Sequence, residues 1–135
     1  MKGNSVMAEL KYDKKTGRLL FTKQMKKEYT ILMPNMAPIH FKILEKVFNY
    51  YGYKSDLLNT TGPEIAQTGL KYVHNDTCYP ALLVIGQFLD ALNSGKYDLE
   101  HTALLITQTG GGWRGAHSHQ LRQAADVVRQ TIFSF

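Results

Sequence analysis

A continuous apolar segment, Ala81 to Gly86, is the feature of this sequence that most constrains its fold. It lies near the start of a stretch from Pro80 to Asn93 that is apolar on nearly every side, a pattern that predicts a buried helix. Pro80 suits the first turn of that helix, where its missing N–H leaves no hydrogen bond unmade. The single cysteine of the chain, Cys78, stands directly before this turn. A cysteine there is either a small buried apolar residue or a ligating or reactive thiol, and the helical pattern leaves both readings open.

The rest of the chain alternates predicted strands with predicted helices. Short β-rich or apolar segments indicate strands at residues 29–33, 53–58 and 102–107. Apolar residues at helical spacing indicate helices at residues 38–51, at about 61–73 and from about Gln120 to Ile132. Strands that alternate with helices build layered sheets, so we predict an α/β domain with a mainly parallel sheet flanked by helices.

The first 28 residues carry the net charge of the chain. They hold eight Lys and Arg against three acidic residues, whereas residues 29–135 hold eight of each sign, so the net charge of +5 lies in this segment. Alternating residues on either side of a turn at Asp13 to Gly17 predict a β-hairpin that precedes the sheet. We therefore predict a basic N-terminal hairpin or arm at residues 1–28 and a single α/β domain at residues 29–135. Aromatic residues are not interleaved with this charge, so nucleic acid is not expected as a partner.

Candidate functional groups follow the predicted strands. Ligands of open α/β sheets bind beyond the carboxyl ends of the strands, and three segments could share that edge. They are the loop after the first predicted strand (Asn35, Met36, His40), the helix start at Cys78, and the loop Gln108 to Trp113. In the last loop, Gly110, Gly111 and Gly112 would let backbone N–H groups approach an anion, or would form a flexible turn. His117 and His119 could share a face and bind a metal, or form a surface pair.

Three stretches of the sequence resemble the 2-hydroxyacyl-CoA dehydratase family, over about residues 20–114. The strongest is Tyr72-Val73-His74-Asn75-Asp76-Thr77-Cys78-Tyr79-Pro80-Ala81. The second runs from Phe21 to Phe41 and contains Met33-Pro34-Asn35-Met36-Ala37-Pro38. The third is Leu104-Leu105-Ile106-Thr107-Gln108-Thr109-Gly110-Gly111-Gly112. The sequence of these stretches is most similar to the dehydratase-like region of the large proteins described as 2-hydroxyglutaryl-CoA dehydratase activators or CoA-substrate-specific enzyme activases.

The resemblance implies a site and its chemistry. It implies that Cys78 is a ligand of a 4Fe-4S cluster and that Gly110, Gly111 and Gly112 lie against that cofactor. Members of the family are lyases in which an ATP-driven activator delivers an electron to the cluster-bearing component, which dehydrates a 2-hydroxyacyl-CoA. The implied partners are other dehydratase or activator subunits or a second copy of the chain, and the implied substrate is an acyl-CoA.

One departure from the family pattern limits this expectation. A second family cysteine follows the three glycines, and this chain has Trp113 in its place. Indole carries only an N–H donor and offers iron no lone pair, whereas a 4Fe-4S cluster usually takes four thiolates. We therefore expect a fragment or degenerate member of the family that is incomplete alone. The alternative is a non-catalytic α/β binding or interaction module that has lost the cluster. A shifted or truncated reading frame after residue 112 would explain the departure.

The composition of the chain indicates its cellular compartment. No apolar run approaches the roughly 20 residues that span a bilayer, so no membrane partner is expected. A single cysteine excludes an internal disulfide framework and suits a reducing compartment, so we expect a cytoplasmic protein.

Overall fold

The computed structural model of the protein describes residues 9–15, 19–72 and 78–106, together with the backbone of residues 131–134. In this part of the chain the strands are β1 (Lys11–Tyr12), β2 (Leu19–Leu20), β3 (Thr30–Pro34), β4 (Lys54–Leu58), β5 (Thr102–Ile106) and β6 (Thr131–Ser134). The α-helices are α1 (Lys23–Glu28), α2 (Pro38–Tyr50), α3 (Pro63–Tyr72) and α4 (Tyr79–Asn93), and a 3-10 turn covers Leu99–His101.

The main sheet is parallel, with its strands in the order β4–β3–β5–β6. Leu32 of β3 pairs with Asp56 of β4 on one side and with Leu104 of β5 on the other. The chain passes from β3 outward to β4 and then returns across β3 to β5, so the sheet is wound in both directions from β3. Strands β1 and β2 form a separate antiparallel pair. The predicted class, a mainly parallel sheet flanked by helices and preceded by a hairpin, is confirmed.

The predicted C-terminal boundary of the last helix is wrong. Helical spacing extended it to Ile132, but Thr131–Ser134 form β6, which pairs in parallel with β5. Thr131, Ile132 and Phe133 are β-branched or aromatic and fit a strand at least as well as a helix. Pairing with β5 favours the strand, because the backbone groups at the open edge of β5 gain hydrogen-bond partners only if residues 131–134 are extended.

Alternate residues of the central strands fill two cores, one on each face of the sheet. On the first face Leu32, Leu58 and Leu104 pack with α4, whose contributions are Val84, Ile85, Phe88, Leu89, Ala91 and Leu92. On the second face Ile31, Met33 and Leu105 pack with Met25 of α1 and Phe41 of α2. The predicted burial of the helix that begins at Pro80 is confirmed, since most α4 side chains are inaccessible.

Helices α3 and α4 pack as an antiparallel pair with unusually close backbones. A Cβ on Gly69 would lie 2.5 Å from the carbonyl oxygen of Leu82, and one on Gly86 would lie 2.2 Å from that of Ile65. Residue 65 is therefore opposite 86 and residue 69 is opposite 82, so the two helices run in opposite directions. Only glycine permits this approach.

The N-terminal segment joins the second core. Thr22 caps α1 by accepting a hydrogen bond from the Met25 N–H at 3.3 Å, and Met25 is fully buried. Sequence patterns did not predict α1, because its six residues contain one apolar side chain. The boundary at residue 28 between an arm and the α/β domain stays a prediction. Among the helices in the described ranges, none has the length and apolar character needed to cross a bilayer.

Candidate functional site

The topology of the sheet marks one edge as the place for a ligand. The chain leaves β3 toward β4 on one side of it and later enters β5 on the other side. The crevice between the carboxyl ends of β3 and β5 is therefore a topological switch point. Asn35 follows β3 directly at this point, and Asn59 and Thr60 follow the neighbouring strand β4. The prediction that the loop after the first strand lies at the ligand-binding edge is consistent with this arrangement.

Gln87 of α4 joins the two strand ends through its side-chain amide. Its Oε1 accepts a hydrogen bond from the Asn35 N–H at 3.2 Å, and its Nε2 donates to the Thr60 carbonyl at 3.0 Å. The side chain is buried, so both bonds form away from bulk water. Sequence reasoning missed Gln87, although it is the one polar residue in the apolar stretch from Ala81 to Leu89.

The side chain of Asn35 leaves one acceptor open at the switch point. Its Nδ2 donates to Asn59 Oδ1 at 3.2 Å. Its Oδ1 is buried and has no hydrogen-bond donor among the described residues. A buried acceptor of this kind is matched by a donor from a ligand or by an ordered water. The groups of this network, Asn35, Asn59, Gln87 and the Thr60 carbonyl, are all neutral amides.

Cys78 is the N-cap residue of α4. Its backbone is extended, its carbonyl accepts a hydrogen bond from the Leu82 N–H at 3.0 Å, and its side chain makes no capping bond. The thiol-bearing residue is partly exposed, and Tyr79 and Pro80 follow it in the first turn. The predicted placement of Cys78 at the start of a buried helix is therefore correct.

The position of Cys78 relative to the sheet edge follows from helix α4. Gln87 marks the level of that edge, and Cys78 is nine residues earlier in α4, about 14 Å along the helix axis. The antiparallel packing of α3 and α4 places Cys78 near the C-terminal end of α3, at the far end of the helix pair. The expectation that Cys78 and Asn35 share one crevice stays a prediction.

The other predicted site residues are dispersed. Met36 is half exposed, and His40 is exposed in the first turn of α2. His101, which the sequence does not mark as a site residue, has Nδ1 2.7 Å from Asp98 Oδ2. Gly110, Gly111, Gly112, Trp113, His74, His117 and His119 lie outside the described residues.

The described residues do not fit a complete iron–sulfur centre. They contain no group of three or more His, Cys, Asp or Glu side chains that could hold a metal ion. A 4Fe-4S cluster usually requires four thiolates, and the whole sequence contains one cysteine. Cys78 could supply one ligand and the chain could not supply the others as thiolates.

Comparison of the chain with protein-family models, with curated proteins and with solved structures finds no match.

Proposed function

We propose that this chain is an incomplete member of the 2-hydroxyacyl-CoA dehydratase family. In this proposal it is an α/β domain that contributes Cys78 as one ligand to an iron–sulfur site completed by another polypeptide. The observation that carries the proposal is the position of Cys78, partly exposed at the N-cap of α4 within the motif Asn75-Asp76-Thr77-Cys78-Tyr79-Pro80.

The placement of Cys78 supports a shared site over an internal one. It lies at the end of the α3–α4 pair, about 14 Å along α4 from the amide network of Gln87. A second chain can reach that end without entering the sheet. The partner is a dehydratase or activator subunit or a second copy of this chain, and the substrate class of the assembled enzyme is a 2-hydroxyacyl-CoA. A reducing cytoplasm suits a ligating thiol of this kind.

A second candidate function is a non-catalytic binding module. The donor set favours it, since one thiol per chain cannot hold a cluster. The open Oδ1 of Asn35 favours it as well, because that atom accepts a hydrogen bond at the position where α/β sheets bind ligands. Such a module would bind a small neutral molecule with an N–H or O–H donor beside Asn35, at the carboxyl end of β3.

Anaerobic reconstitution separates the two functions. The purified chain would be incubated with iron, sulfide and an excess of 2-mercaptoethanol, whose thiolates can occupy the remaining ligand positions. The proposal expects protein-bound iron and acid-labile sulfide in the wild type and their loss in Cys78→Ser. Equal iron in the two proteins would overturn the role of Cys78 and leave the binding module.

A further inference from the structure

Helix α2 exposes a row of large apolar side chains on the side that faces away from the sheet. Ile39 is 74% exposed, Ile43 58%, Val47 45% and Tyr50 84%. Their spacing of four, four and three residues keeps them on one side of the helix. We call these four residues the α2 stripe. The opposite side of the helix holds Phe41, which is buried in the second core, so α2 is apolar on two sides.

The length of the α2 stripe distinguishes it from ordinary exposed apolar residues. Single exposed apolar side chains are common on protein surfaces and need no explanation. A contiguous row that follows one helix for three turns marks an interaction surface. Amphipathic helices of partner proteins dock on such surfaces through anchors at the same helical spacing.

A cavity of about 490 Å³ opens beside the C-terminal half of the stripe. Val47 belongs to both the stripe and the cavity, and Tyr51, which is 63% exposed, stands at the cavity as well. The other lining residues are mainly apolar and come from α1, the end of α2, the sheet and the segments just before α1 and β4: Phe21, Lys26, Ile31, Phe48, Tyr53, Ala103, Leu104 and Leu105. A cavity of this size next to the α2 stripe can receive one large side chain of a binding partner.

Positive charge borders the stripe on both sides. Lys42 and Lys46 are exposed and lie one helical turn from stripe residues, on the side away from the cavity. On the cavity side, Lys26 Nζ stands 4.5 Å from the centroid of the Tyr53 ring. The one acidic residue of α2, Glu45, uses its Oε1 to accept a hydrogen bond from the Leu57 N–H at 3.2 Å. These three lysines have no carboxylate partner among the described residues.

We propose that the α2 stripe and its cavity bind an amphipathic helix of another protein, which inserts a large apolar side chain into the cavity and carries acidic residues on both flanks. A second copy of this chain does not meet that description. Pairing two α2 helices in either direction would bring lysine-bordered edges together, and like charges across an interface are unfavourable. The proposal is independent of Cys78 and of the iron–sulfur site.

A synthetic helical peptide is the probe for this proposal. It would carry Leu and Phe at a 4-4-3 spacing, Glu at every flanking position and a fluorescent label, and its binding would be followed by anisotropy. The control peptide has the same apolar face with Lys in place of each Glu. We expect the acidic peptide to bind, at least tenfold more tightly than the basic peptide, and to weaken as salt rises.

Matched variants locate the binding surface. Ile43→Glu should reduce affinity for the acidic peptide at least tenfold, whereas Leu70→Glu, at a residue of α3 that is 48% exposed, should leave it unchanged. The double variant Lys42→Glu with Lys46→Glu should prefer the basic peptide. Because all four positions are exposed, circular dichroism should show that each variant is folded. Absence of binding, equal affinity for the two peptides, or an equal effect of Leu70→Glu would overturn the proposal. Self-association of the wild type that Ile43→Glu abolishes would also overturn it, in favour of a second copy.

Discussion

The backbone N–H of Asn35 donates a hydrogen bond to Gln87 Oε1 across 52 residues of sequence, at a donor–acceptor distance of 3.2 Å. This bond ties the end of β3 to α4, and the second bond of the same side chain, to the Thr60 carbonyl, ties in the segment after β4. One buried amide therefore fixes the relative positions of the two segments that form the candidate ligand-binding edge.

Replacement of Gln87 by leucine should destabilise the protein by about 2 kcal/mol. The substitution keeps the volume but leaves the Asn35 N–H and the Thr60 carbonyl without their partner, and an unsatisfied buried group costs about 1–3 kcal/mol. Urea unfolding measures the change. Gln67→Leu is the control, because Gln67 is exposed on α3 and should change stability by no more than about 0.5 kcal/mol. Equal losses in the two variants would show that the Gln87 bonds contribute little.

Much of the sheet could be predicted from sequence because its signals are local. The strand at residues 30–34 and the helix at 38–50 each carry their own apolar pattern and end at a proline or near a glycine, so their bounds agree with prediction within about two residues. Strand β6 could not be predicted in this way, because Ile132 continues a helical spacing and only pairing with β5 makes the segment extended.

Individual residues of the candidate site could be predicted from the sequence, but their arrangement in space could not. Asn35 stands out because it follows a predicted strand, and Cys78 because it precedes a predicted helix. Cys78 lies nine residues before Gln87 in α4, and Gln87 bonds Asn35 only in the folded chain. Contacts between residues so far apart in sequence leave no local pattern, so the network of Gln87 and the position of Cys78 required the structure.

The Gly86→Ala substitution should disrupt the α3–α4 pair. Its new Cβ would lie 2.2 Å from the Ile65 carbonyl oxygen and 2.8 Å from Ile65 Cγ2, so the two helices must move apart. Overpacking of this kind costs about 1–3 kcal/mol, more where backbone atoms collide. The measurement is thermal or urea unfolding beside Lys71→Ala, an exposed position of α3 that should be neutral to within about 0.5 kcal/mol. A neutral Gly86→Ala variant would contradict the close approach.

Tyr97 should make the protein less stable at high pH. Burial, then the hydrogen bond to Asp56 Oδ2 and the charge of that carboxylate, raise the pKa of Tyr97 to about 12. At pH values from about 10 to 12 the folded protein keeps a proton that the unfolded chain has lost, so stability falls as the pH rises through this window. Urea unfolding should show a smaller fall in Tyr97→Phe than in the wild type. An identical fall would mean that Tyr97 titrates alike in both states.

Asp98 should titrate below the ordinary range of aspartate. The hydrogen bond from His101, followed by that from the Glu100 N–H, lowers the pKa of Asp98. Its contribution to stability is present above the ordinary pKa and is lost as the pH falls through the lowered value. Carboxyl-carbon NMR should report the low pKa and its rise in His101→Phe, a change that keeps an aromatic ring against Tyr29. His40→Ala, at an exposed position of α2, should not move it.

We propose that Cys78 is one ligand of an iron–sulfur site that this chain leaves incomplete. The most direct measurement is iron and acid-labile sulfide per chain after anaerobic reconstitution of the wild type, Cys78→Ser, Trp113→Cys and the double variant. Trp113→Cys places a cysteine where the 2-hydroxyacyl-CoA dehydratase family has its second one, so it should raise the iron content above the wild type, and only where Cys78 is also present. A Trp113→Cys gain that is just as large in the Cys78→Ser background, or no gain at all, would contradict the claim.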